Sequence, residues 1–89
     1  MLFMVIEDMS LGGLDAIHDR FERRGRMLPA GVEYISSWIE DNGRRCYQLM
    51  QAPTVALVEE WASNWSDIVG FEIVPVLPSA EFWKRRADP

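Results

Sequence analysis

An Asn-Gly pair set between two runs of β-forming residues constrains this chain more than any other feature. Val32 to Ile39 is rich in β-branched and aromatic side chains, Arg45 to Gln51 is the return run, and Asn42-Gly43 lies between them. Both turn residues tolerate positive φ, which makes Asn-Gly the strongest short hairpin signal. A two-residue turn there sets Asp41 opposite Arg44 and fixes the register of the whole pair. Ile39 then faces Cys46, Ser37 faces Gln48 and Ile35 faces Met50 on one side; Trp38 faces Tyr47 and Ser36 faces Leu49 on the other. Such cross-strand pairs stabilise a sheet by roughly 0.2–1 kcal/mol each.

Other elements fall around this hairpin. Leu2 to Ile6 is a short apolar run ended by Glu7 and Asp8, which reads as a strand buried on both faces. Leu14, Ile17, His18 and Phe21 follow the i, i+3, i+4, i+7 spacing of an amphipathic helix that stops near Gly25. Met27 to Gly31 is a connecting loop. Thr54 is placed to cap a second helix, whose stripe is Leu57, Val58, Trp61, Ala62 and Trp65. Phe71 to Leu77 reads as the fourth strand, and Pro75 confines it to a sheet edge or a bulge because proline cannot donate to the ladder. Ser79 opens a short final helix or tail over about 79–89. The order β-α-β-β-α-β, in one domain spanning 1–89, predicts an α+β ferredoxin-like fold: a four-stranded antiparallel sheet with two helices on one face.

That fold covers only one face of its sheet, yet both faces here carry large apolar groups. Phe3 and Val5 alternate with Leu2, Met4 and Ile6, and Tyr34, Trp38 and Tyr47 alternate with Ile35, Ile39 and Met50. A bare apolar face of that extent is a binding surface or a liability. The simplest cover is a second copy by two-fold symmetry, so a homodimer is expected with Tyr34, Trp38 and Tyr47 at its interface. Size points the same way. A chain of 89 residues, although 48% hydrophobic, buries only roughly 60–65% of its unfolded surface alone.

Composition excludes several function classes. Nine basic against 14 acidic residues give net −5, the wrong sign for a generic nucleic-acid or anionic-membrane binder. No apolar run approaches the ~20 residues of a membrane span. One cysteine and one histidine allow no internal disulfide and no all-protein zinc site. No metal or cofactor is implied, and a lone thiol suits a reducing, cytoplasmic setting.

Several stretches together resemble a known family. Met1-Leu2-Phe3-Met4-Val5-Ile6-Glu7, Gly25-Arg26-Met27-Leu28-Pro29-Ala30-Gly31-Val32, Tyr34-Ile35-Ser36-Ser37-Trp38, Arg45 to Met50 and Trp61 to Val76 look like a bacterial family of small proteins known only as a domain of unknown function. The resemblance covers nearly the whole chain. It implies the dimeric α+β barrel superfamily, whose members include cofactor-free monooxygenases, haem-degrading enzymes, isomerase-like proteins and sensors. It assigns no activity and no catalytic residues.

Few side chains carry chemistry. His18 reads either as a catalytic acid or base looking into a pocket between helices and sheet, or as a half-buried histidine bonded to the backbone. Cys46 is a nucleophile or a small buried hydrophobe. Ser37 and Gln48 face each other in the predicted register, and buried polar groups need partners. With Cys46 and Trp65 they are the candidate ligand-binding residues; otherwise they bond each other or water. Three functions follow: a homodimer that binds a small apolar or aromatic ligand between helices and sheet, a cofactor-light monooxygenase or isomerase using His18 as base, and an interaction module without chemistry.

Overall fold

The computed structural model describes residues 1–87. Its elements are β1 (Leu2–Asp8), α1 (Leu14–Arg24), β2 (Glu33–Ile39), β3 (Arg45–Gln51), α2 (Val55–Ser63), β4 (Gly70–Val76) and α3 (Ser79–Ala87). The four strands form one antiparallel sheet in the order β2-β3-β1-β4. This is the ferredoxin-like arrangement expected from the order of elements. β4 is an edge strand, as Pro75 requires. The tail expected over 79–89 is helical through Ala87; Asp88 and Pro89 lie outside the described residues.

The helix-covered face is now fixed. Phe3 and Val5 of β1 and Met50 of β3 are fully buried with Val58 of α2, and Trp61, Trp65 and Val69 complete the core. Each such aliphatic or aromatic group contributes roughly 1.5–3 kcal/mol on leaving water. The Trp61 ring packs edge-on against Phe71 of β4, with centroids 5.4 Å apart. Thr54 caps α2 as predicted, its Oγ1 accepting from the Leu57 N–H at 3.4 Å.

Three local expectations are corrected. The β2–β3 register holds from Ile39–Cys46 to Ser36–Leu49, but Tyr34 rather than Ile35 lies opposite Met50. A β-bulge at Ile35 adds one residue to β2. The bulge moves Tyr34 from the face of Trp38 and Tyr47 to the helix-covered face, where its hydroxyl lies 2.8 Å from Ser37 Oγ. Second, no two-residue turn forms. The Gly43 N–H donates to Glu40 O at 2.7 Å and the Glu40 N–H to Arg45 O at 2.8 Å, closing a wider loop of the same register. Gly43 supplies the positive φ of 74° this loop needs. Third, β1 does not end at Ile6. It runs through Glu7 and Asp8, paired to Cys46 and Arg45 on one side and to Phe71 and Gly70 on the other.

The two helices over the sheet differ sharply. α2 buries Val58, Trp61 and Ala62, whereas α1 buries no residue. Of the α1 stripe only Ile17 packs against the core; Leu14 and Phe21 remain exposed. The helix is tied instead by Arg20, whose guanidinium makes two 2.7 Å bonds to Asp67 and one of 3.0 Å to Asn64 O. Gly12, just before α1, approaches the α2–β4 connection closely. Its N–H donates to Ile68 O at 2.9 Å, and a Cβ there would fall 2.4 Å from the Ile68 Cβ and 2.9 Å from its Cα. Gly12→Ala should therefore push α1 off its seat at a cost of about 1–3 kcal/mol. Thermal denaturation should show a midpoint lowered by roughly 4–8 °C per kcal/mol; an unchanged midpoint would mean that the approach is not needed.

Candidate functional site

Because α1 stands off the sheet, a cleft of about 320 Å³ opens between them. Its walls come from α1 (Leu14, Ile17, His18, Phe21), β1 (Glu7), β2 (Ser37, Ile39), β3 (Cys46, Gln48) and the α2 side (Trp61, Trp65, Val69), with Arg26 from the loop after α1. The lining is mostly apolar with a few convergent polar groups, the usual composition of a small-molecule site.

The structure brings the sequence-selected residues together here. Ser37, Cys46, Gln48 and Trp65 all line this one cleft. Gln48 is only 4% exposed, and its amide N–H donates to the Met50 thioether at 3.4 Å, a weak acceptor. His18 is placed differently from its expected position between helix and sheet. It stands at the rim with its side chain 75% exposed and Nε2 3.3 Å from Glu22. Trp38 and Tyr47 lie on the opposite face of the sheet, where the Tyr47 hydroxyl donates to Glu40 at 2.7 Å. That bond and the nearby Arg45 guanidinium hold the Glu40 carboxyl below its ordinary range.

Two further groups of the cleft were not selected from the sequence. Glu7 follows Phe3 and Val5 on the same side of β1, so strand alternation turns it toward the cleft. Loss of hydration raises the affinity of its carboxyl for a proton; hydrogen bonding from Cys46 and the charge of Arg26 offset this only in part. The same burial, together with the neighbouring Glu7, pushes the Cys46 thiol up to about 12. Cys46 is therefore a protonated thiol at neutral pH, not a ready nucleophile.

The second missed group is Arg26. The Trp61 and Trp65 indole N–H groups both donate to its backbone carbonyl, at 2.9 and 3.2 Å. Asn64 Nδ2 holds the next carbonyl, that of Met27, at 3.2 Å, and Met27 turns through a φ of 60°. The Arg26 guanidinium lies 3.7 Å from the Tyr34 ring centroid and 5.2 Å from that of Phe21. Tyr34, expected with Trp38 and Tyr47 at the dimer interface, is instead carried to this face by the bulge. The parity of Phe3, Val5 and Glu7 was a legible signal for Glu7; nothing in the sequence marked Arg26 or the bulge. Among the described residues no group of three His, Cys, Asp or Glu side chains is arranged to hold a metal ion, and no helix is long and apolar enough to cross a membrane.

Compared with known proteins, residues 1–88 match the family model described as Domain of unknown function (DUF3303). No curated protein and no solved structure matches the chain.

Glu7 gives the cleft a pH signature. A carboxyl with a raised folded-state pKa favours folding below its unfolded value, and that contribution disappears as pH rises through the folded value. Glu7→Gln should remove this dependence. The variant should gain on the parent protein in thermal midpoint as pH rises from about 4.5 toward neutrality. Parallel midpoint-against-pH curves for the two proteins would show that Glu7 is not desolvated.

Proposed function

The chain belongs to the DUF3303 family, and we propose that it is a homodimeric α+β barrel protein that binds a small apolar or aromatic ligand between α1 and the sheet. The observation that carries this reading is the cleft itself: about 320 Å³, apolar walls, and an overlying helix that buries none of its own residues. A helix held off its sheet leaves apolar surface in contact with water, and a ligand removes that surface at no cost to the core. The placement of Ser37, Gln48, Cys46 and Trp65 around one cavity supports the ligand-binding assignment made for them.

Dimerisation is supported by the uncovered face. Leu2, Met4, Ile6, Trp38, Tyr47, Leu49, Val74 and Val76 share the side of the sheet away from α1 and α2, and Trp38 is 56% exposed. A second copy packed sheet on sheet covers this surface on both protomers at once. This is the association that defines a dimeric α+β barrel, and it fits a bacterial, cytoplasmic protein with one protonated thiol. An enzymatic reading, as a monooxygenase or isomerase needing no bound cofactor, would draw its base from Glu7, since His18 sits at the rim.

Two measurements test the proposal. Sedimentation equilibrium should return twice the 10.3 kDa chain mass, and Trp38→Glu should return a monomer. A single-chain mass for the parent protein at micromolar concentration would refute the dimer. In thermal-shift assays, single-ring aromatic compounds should raise the melting midpoint, by an amount that reaches about 2.7 kcal/mol of added stability at a hundredfold excess over Kd. Leu14→Trp, which fills the cleft mouth, should suppress the shift. Failure of every such compound to stabilise the protein would count against the cleft as a binding site.

A further inference from the structure

Within the cleft one cation makes no ion pair. Arg20 is paired to Asp67, Arg23 to Asp19, Arg45 to Glu40 and Arg85 to Glu81. Among the described residues Arg26 is the one partly buried cation with no carboxylate within ion-pairing distance. Its backbone is fixed by two tryptophans and its guanidinium lies over the Tyr34 ring and near that of Phe21, so its position is set before any ligand arrives. Stacking uses the guanidinium faces and leaves its in-plane N–H donors for a planar acceptor. Glu7 lines the same cleft and feels the Arg26 charge, but it does not reach ion-pair distance of the guanidinium.

Resting on the ligand-binding reading above, we propose that the cleft selects a single-ring aromatic carboxylate, with the carboxylate held by the Arg26 guanidinium and the ring lodged among Phe21, Ile17 and Trp65. Two in-plane N–H donors of a guanidinium match two carboxylate oxygens, and the pairing strengthens in a site partly shielded from water. The volume lies at the small end of the ~300–1,000 Å³ typical of ligand pockets, which favours one ring over a fused system. The chain's net charge of −5 repels anions at long range. A preference for an acid over its neutral isostere must therefore come from a local cation, and Arg26 is the cation that the cleft contains.

The test is isothermal titration of the full chain with phenylacetate and with phenylacetamide, which match in shape and differ in charge. The acid should bind tighter than the amide by roughly tenfold or more. Arg26→Gln should bring the two affinities together by weakening the acid alone, because the tryptophan bonds to the residue 26 carbonyl do not depend on the side chain. Arg24→Gln, on an exposed arginine at the end of α1, should leave the preference intact, which separates a local pairing from a general charge effect. Arg26→Lys gives a second reading with the charge kept: its preference for the acid should lie between those of the parent protein and the Gln variant. Equal binding of acid and amide to the parent protein would overturn the carboxylate assignment and leave the cleft as a binding site. Binding of neither compound would overturn both.

Discussion

Two indole N–H groups meeting at one backbone carbonyl organise the working half of this molecule. A buried tryptophan N–H needs an acceptor, and a carbonyl has two lone pairs to offer. Trp61 and Trp65, one helical turn apart, both use the carbonyl of Arg26. That pins the α1–β2 connection against the α2 side of the molecule. With its C-terminal end held there, and its start tied through Gly12 to Ile68, α1 is suspended across the sheet rather than pressed into it. The cleft follows from this suspension, and so does the fixed position of the arginine at its edge.

The division of labour between the helices has an energetic logic. α2 closes the core with Val58, Trp61 and Ala62, over Phe3, Val5 and Met50. α1 contributes little burial and is retained by a bidentate ion pair between Arg20 and Asp67. A partly exposed pair of this kind adds only modest stability, so the α1 side opens at lower free energy than the rest. A small domain can accept one loosely held element if the other carries the fold. The open side of the sheet and α3, with Trp83 64% exposed, carry apolar surface of a different kind, outside the cleft.

Much of this was legible in the sequence because it rested on periodicity. Strand order, the α2 cap at Thr54 and the edge position of Pro75 all follow from patterns that local chemistry dictates. Ser37, Cys46 and Gln48 came to the cleft because hairpin register was fixed by the turn region, even though the turn closed more widely than a two-residue loop. The failures had physical causes. His18 lies on the apolar stripe by spacing, but the stripe is not pressed against the sheet, so its outer edge stays in water. Arg26 gave no signal because its role depends on tryptophans 35 and 39 positions away. Tyr34 was displaced by a single unpaired residue.

That single residue makes β2 a strand of two phases. Before Ile35 the even position, Tyr34, faces the helix-covered side with Met50; after it the odd positions, Ser37 and Ile39, face that side. Neither half alone puts an aromatic ring and a hydroxyl side by side on one face three residues apart. The bulge does so, and Tyr34 bonds Ser37 while carrying the Arg26 guanidinium on its ring. The spacing of this strand is therefore as informative as its composition. Regular pairing through Ile35 would leave every side chain of the site in the sequence while turning Tyr34, the arginine's support, to the far side of the sheet.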